Sequence, residues 1–367
     1  MKNTVGTALS VTIFGESHGP VLGAILDGLP AGIPVDEEYI AAQLALRRPA
    51  DALSTSRRED DRFEIVSGVY RGFTCGTPLC VLIPNRAQDS GEYEAIRTVA
   101  RPGHADYAAQ MKYGGFQDAR GGGHFSGRVT AALVAAGAVV LPALRRKNIV
   151  IRSHILRCGG ESDRRFSPRE EDLRAEIASL ENLPFPVLSR EVGERMKRAI
   201  LAAKEAGDSV GGVLETAVCG VPAGVGEPWF DGMENVLARA LYAIPAVKGV
   251  AFGDGFSLAE LRGAQANDPY YMEDGRARTA SNHNGGINGG VTNGMPLLIQ
   301  TAVKPTPSIG QTQKTVDFVR GEDTTLTLRG RHDPCIVHRA AVAADSAVAL
   351  ALCDLLLGRF GAGWLTE

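Results

Sequence analysis

The chain has 367 residues, of which 44% are apolar and 22% charged, the balance of a soluble globular protein with a sizeable core. A net charge of −3 and only 6% aromatic residues exclude a protein that coats duplex nucleic acid or stacks single strands. Glycine is the outlier, 44 residues in clusters, and clustered glycine marks turns or places where main chain approaches a ligand closely.

Read from the N-terminus, Glu16 and His18 interrupt the first apolar run too early for a signal peptide. A strand is predicted over 7–14, followed by Gly15-Glu16-Ser17-His18-Gly19. Asp36 is the natural N-cap of a helix over 36–48, with Glu37 and Glu38 in its first turn, Arg47 and Arg48 at its end and Pro49 as its stop. Strands follow over 62–70 and 78–84, then a hydrophilic stretch from Asn85 to Arg97 that reads as a surface loop. The uncharged run Val129 to Leu144 is shorter than a bilayer span of roughly 18–20 residues and contains Pro142, so a helix over 126–146 is expected in the core. The remaining pattern predicts helices over 188–206, 231–244 and 338–358, and strands over 148–156, 210–219, 248–253, 296–303 and 324–329. A second hydrophilic loop runs from Ala266 to Arg278. Strands and helices do not alternate regularly, and no linker or repeat divides the chain. The expectation is one α+β domain over 1–367. The six cysteines show no CxxC pair and no zinc spacing, which points to a reduced, cytoplasmic protein without a metal site.

Five of the seven histidines fall in glycine- or arginine-rich segments. These are Gly15 to Gly19, Arg101-Pro102-Gly103-His104-Ala105-Asp106, Arg120-Gly121-Gly122-Gly123-His124-Phe125-Ser126-Gly127-Arg128, Ser281 to Gly286, and Arg331-His332-Asp333-Pro334. Imidazole exchanges a proton near neutral pH, glycine lets main-chain N–H groups face a ligand, and arginine clamps carboxylate or phosphate. Arg57 and Arg58 add to the basic residues. Together the segments describe a pocket for a small, highly anionic, phosphorylated ligand with histidine acid–base groups. Phosphate-loop, dinucleotide, HExxH and GxSxG motifs are absent.

In order and along almost the whole chain, these segments resemble the chorismate synthase family. Gly15 to Gly19 running on to Asp27-Gly28-Leu29-Pro30, Arg101 to Asp106, and Arg331 to Cys335 are similar to three family signatures. Gly211-Gly212, Gly220 to Pro228, Val247 to Val250, Gly253 to Phe256, Ser281 to His283 and Lys304 to Thr306 are similar to blocks between them. The resemblance implies a fold of antiparallel sheets sandwiched by helices, a homotetramer, and an anti-1,4-elimination of phosphate from 5-enolpyruvylshikimate 3-phosphate. It implies reduced FMN as cofactor without net redox change. Reduced flavin would come from an external flavin reductase, with NADPH as the reductant, and no nucleic-acid or membrane partner is implied. By matched position it implies that His18 protonates the leaving phosphate, that His104 faces the reduced flavin, and that Asp333 with Ser17 assists proton removal. Flavin contacts carry over to His124, Phe125, Ser126, Pro245, Ala246, Gly289, Lys304, Pro305, Thr306, Pro307, Ser308 and Arg331. Substrate or reductant contacts carry over to Arg47, and Arg48, Arg101, Arg128 and Arg339 are candidates of the same kind.

The chain departs from the common family pattern at His124, where an arginine is usual, and at Pro245, where an asparagine is. Leu53, His338 and Asp345 are smaller departures. A non-catalytic flavin- or phosphoanion-binding paralogue is the alternative reading, and retention of His18, His104 and Asp333 argues against it.

Overall fold

Apolar side chains at alternate positions make half-buried strands of Ser10–Phe14, Val21–Asp27 and Leu79–Pro84, the last with a strict buried and half-buried alternation. In this computed structural model, which describes residues 2–49, 52–54, 60–85, 96–328 and 333–367, these strands are central to the first of two five-stranded antiparallel sheets. Its order is Thr4–Val5, Ser10–Phe14, Val21–Asp27, Leu79–Pro84, Glu64–Ser67. The second sheet runs Val247–Phe252, Leu297–Val303, Gly212–Cys219, Val150–Cys158, Glu161–Ser162, again antiparallel throughout.

Two helices, Thr130–Arg146 and Val337–Phe360, pack on each other and on both sheets, and are apolar around most of their circumference. A helix without a polar face has to be buried. The sequence of small residues sets how closely they cross: a Cβ at Gly137 would lie 2.3 Å from the Cβ of Ser346. Glu170–Ser179 covers the far face of the second sheet through Leu173 and Ile177, which pack with Ala217, Cys219 and Leu298. That sheet therefore has helices on both faces. The α+β class and the antiparallel pairing agree with expectation.

Asp36 caps Glu37–Arg47, its carboxylate accepting from Tyr39 N at 2.8 Å. The helix expected from residue 126 begins at Thr130, because 127–129 form a 3-10 turn in which Arg128 N donates to Ser126 Oγ at 3.2 Å. Short helices over Asp106–Tyr113 and Glu170–Ser179, and the strand Val21–Asp27, add to the elements expected from the pattern. The stretch 266–278, expected as a loop, contains a hairpin of Tyr270–Glu273 and Arg276–Thr279. Its turn is Asp274-Gly275, both with positive φ, as a two-residue type I′ turn requires.

The ends of these elements converge. The turn between Ser10–Phe14 and Val21–Asp27 carries Ser17 and His18, Leu297–Val303 delivers Lys304, and Val337–Phe360 is preceded by Asp333.

Candidate active site

Residues 121–123 take positive φ in succession (62°, 102° and 53°), a path that three consecutive glycines permit. This path brings main chain against two imidazoles. A Cβ on Gly121 would lie 2.2 Å from His18 Cε1, 2.3 Å from His18 Nδ1 and 2.8 Å from Ser17 Oγ. A Cβ on Gly122 would lie 3.1 Å from both Cε1 and Nε2 of His104. His18 and His104, far apart in sequence, thus sit over adjacent residues. His18 is 3% exposed. The loop is tied to the His18 turn by Ser17 N donating to Gly123 O (3.0 Å) and His124 Nδ1 donating to Gly15 O (2.7 Å). Asp118 is held below the usual carboxylate range, first by hydrogen bonds from Arg120, with the charge of nearby His18 adding to the effect.

The His104 loop is closed by Asp106. Arg101 Nε and Nη2 donate to the two Asp106 oxygens at 2.7 Å each, and His104 Nδ1 donates to Oδ1 at 2.7 Å. Burial opposes ionisation of Asp106, but the hydrogen bonds from Arg101 and His104 outweigh it and hold the carboxyl far below its ordinary range. An ionised Asp106 is an acceptor only, so it fixes the proton of His104 on Nδ1 and leaves Nε2 toward Gly122. These residues line a cleft open to solvent, with Arg97, Gln117, Asp118 and Phe125 on its other walls.

Lys304 to Pro307 docks on the same loop. Lys304 Nζ donates to Gly103 O, and Pro307 Cβ lies 3.3 Å from where a Gly103 side chain would begin. Lys304 N donates to Ala246 O at 3.0 Å, and Ala246 is a non-glycine residue held at φ 74° just after Pro245. Such a conformation is costly and is kept where surrounding structure or function demands it. The Thr306 hydroxyl is buried and has no hydrogen-bond partner among the described residues.

Behind the His18 turn lies a buried charge cluster. Asp61 accepts from Arg47 Nη2 at 2.8 Å and from Arg128 Nη1 through its other oxygen. Both oxygens of this one buried carboxylate thus hold a guanidinium group. Arg339 joins Asp333 to this cluster: its Nη1 donates to both Asp333 oxygens at 2.9 Å and its Nε to Arg47 O at 2.8 Å. Arg48 Nη1 donates to Asp60 O at 2.9 Å.

The structure therefore brings together Ser17, His18, Arg101, His104, His124, Phe125, Ser126, Ala246 and Lys304 to Ser308, with Arg47, Arg128, Asp333 and Arg339 adjoining. Gly289 lies in the turn between Ile287–Asn288 and Val291–Thr292. Arg331, Arg57 and Arg58 lie outside the described residues. Asp106 stood in the quoted motif without a role. Asp61 was not singled out, and Asn85 read as the start of a surface loop. Nothing local in the sequence distinguishes them.

The family model described as chorismate synthase matches residues 9–357. The chorismate synthase of Thermococcus kodakarensis is 47% identical over 354 residues, covering 96% of this chain and 97% of that protein. The chorismate synthase of Dehalococcoides mccartyi strain BAV1 is 45% identical over 359 residues, 97% of each chain. A crystal structure of chorismate synthase superposes with a TM-score of 0.77 at 31% identity, covering 97% of this chain and 94% of the other.

Proposed function

The chain belongs to the chorismate synthase family and converts 5-enolpyruvylshikimate 3-phosphate to chorismate and phosphate, and on that premise we propose how its own residues divide the work. The observation that carries the assignment is the seating of His18 and His104 over the adjacent glycines Gly121 and Gly122. His18 is the general acid that protonates the departing phosphate, a role suited to a buried imidazole beside the glycine loop. His104, with its proton held on Nδ1 by Asp106, presents Nε2 to the ligand side of the glycine loop. Ser17 and Asp333 assist removal of the ring proton, with Arg339 fixing the Asp333 carboxylate by two hydrogen bonds. The substrate carries two carboxylates and a phosphate. Arg48, Arg101 and Arg339, with Arg47 and Arg128, supply the guanidinium groups that draw and orient it.

Reduced FMN, when bound, lends electron density to the elimination and recovers it, so that no net redox change occurs. The residues present fit such a group: the unpartnered Thr306 hydroxyl, the Lys304 ammonium and the strained Pro245-Ala246 turn adjoin the His104 loop. His124, Phe125, Ser126, Pro305, Pro307 and Ser308 complete the proposed contacts, with Gly289 and Arg331 assigned by matched position. Reduced flavin comes from an external reductase, NADPH serving that reductase. Residues 1–367 act as one domain, supported by a core that runs continuously from Leu9 to Leu365. We also propose a cytoplasmic homotetramer. Trp229, Phe230 and Phe256 are 81%, 87% and 88% exposed, apolar surface of the kind that association covers. Among the described residues, two helices are long and apolar enough to cross a membrane, but 83% of the most apolar stretch of each is buried in the fold.

The test is anaerobic turnover of 5-enolpyruvylshikimate 3-phosphate, following chorismate by ultraviolet absorbance. Product should form with chemically reduced FMN, fail with oxidised FMN, and fail with NADPH plus oxidised FMN until a reductase is added. Equal rates with and without flavin would overturn the cofactor assignment.

A further inference from the structure

Asn85 follows the strand Leu79–Pro84 and is buried across from the turn that carries His18. Its main-chain N–H donates to Pro20 O at 3.0 Å. Its side-chain Nδ2 donates to Ser17 O at 2.6 Å and to Gly19 O at 3.1 Å. These carbonyls flank His18, so both amide hydrogens are directed at the main chain on either side of one imidazole. An amide could equally turn its oxygen to them, which would set acceptor against acceptor. Arg128 selects the orientation: its Nε, a donor only, lies 3.3 Å from Asn85 Oδ1. Asp61 anchors Arg128 in turn, and is itself held by Arg47.

From this arrangement we propose that Asn85 is a positioning residue for His18, with Arg128 and Asp61 fixing the amide that pins the two peptide groups around the imidazole. The proposal rests on the reading of His18 as the proton donor. His18 is followed by Gly19, so nothing in the local sequence stiffens its turn, and the imidazole must nevertheless stay in register with Gly121. A misplacement of roughly 1 Å at a reacting group is worth about 100-fold in rate. Cutting both flanking bonds should allow a shift of that order, while Arg128, which loses its bond to Asn85 Oδ1, keeps its ion pair with Asp61.

The experiment is a double-mutant cycle in the full-length protein with reduced FMN. Asn85→Ala should lower kcat by about 10- to 100-fold with KM changed less than threefold, and melting should stay cooperative. In the His18→Ala background, Asn85→Ala should cost nothing further, because a residue that acts through His18 has no effect once His18 is gone. Asn85→Asp, equal in shape but without donor hydrogens when ionised, is carried through the same cycle in case the alanine variant does not fold. A kcat within threefold of wild type in a folded variant, or losses that multiply in the double variant, overturns the proposal. Wild-type turnover by His18→Ala alone would instead remove His18 from the mechanism, and the two failures are read separately.

Discussion

Gly121→Ala is the sharpest probe of how the glycine loop serves the imidazole above it. The new Cβ would start 2.2 Å from His18 Cε1, 2.3 Å from Nδ1 and 2.8 Å from Ser17 Oγ. Ordinary carbon–carbon contact begins near about 3.5 Å, so the ring must retreat by about 1 Å or the loop must open. Alanine at φ 62° adds a conformational cost of about 1 kcal/mol. The loss of folding stability is therefore modest. The loss of rate is not: a displacement of about 1 Å corresponds to about 100-fold in kcat. The assay is anaerobic chorismate formation with reduced FMN, alongside thermal melting. Gly127→Ala is the control in the same segment, since a Cβ there meets nothing within 4 Å, and it should behave as wild type. If Gly121→Ala keeps kcat within threefold of wild type while remaining folded, contact between this glycine and His18 does not matter to the reaction.

Asp106→Asn removes the negative charge and replaces one of the two oxygens that hold Arg101 and His104 by a donor, and should cost about 1–3 kcal/mol of stability at neutral pH. Because the Asp106 carboxyl is depressed in the folded protein, its contribution is present above the unfolded value near 4 and is lost as pH falls below it; the variant's deficit should shrink there, and a deficit independent of pH refutes the assignment. Asp345 is the opposite case: burial, only partly offset by Arg152 and Ser153, pushes its carboxyl up to about 6. Its cost sets in as pH rises from about 4 to 6, so Asp345→Asn should gain on wild type by up to about 3 kcal/mol across that window, and parallel melting curves from pH 4 to pH 7 would sink this account. Gly137→Val places its Cβ 2.3 Å from that of Ser346 and should destabilise by about 1–3 kcal/mol or more, measured by urea unfolding.

Much of the architecture could be read locally. Asp36 caps its helix as its position before Glu37 and Glu38 suggests, and Val129 to Leu144 is buried because no face of it could meet water. The Asp274-Gly275 turn was also readable, since that dipeptide is a strong hairpin signal, but the polar residues around it read as a loop. The chemistry-bearing segments stood out for the same local reason: histidine beside glycine or arginine in five places is a pattern that packing alone does not call for.

The sequence by itself determined the α+β class, the core helices, and the set of histidines and glycines from which an anionic site could be built. Tertiary structure alone decided which of them meet. His18 and Gly121 are joined by no local periodicity, and neither are Arg47, Asp61 and Arg128, nor Asn85 and the carbonyls of Ser17 and Gly19. A charged run such as Asp60-Asp61-Arg62 reads as surface because most such runs are solvated. Asp61 escapes that rule only because two guanidinium groups from distant helical segments close on it and meet the cost of its burial. Burial and partnership of polar groups depend on where remote chain segments come to rest, and that is settled by the packing of the sheets against the two apolar helices.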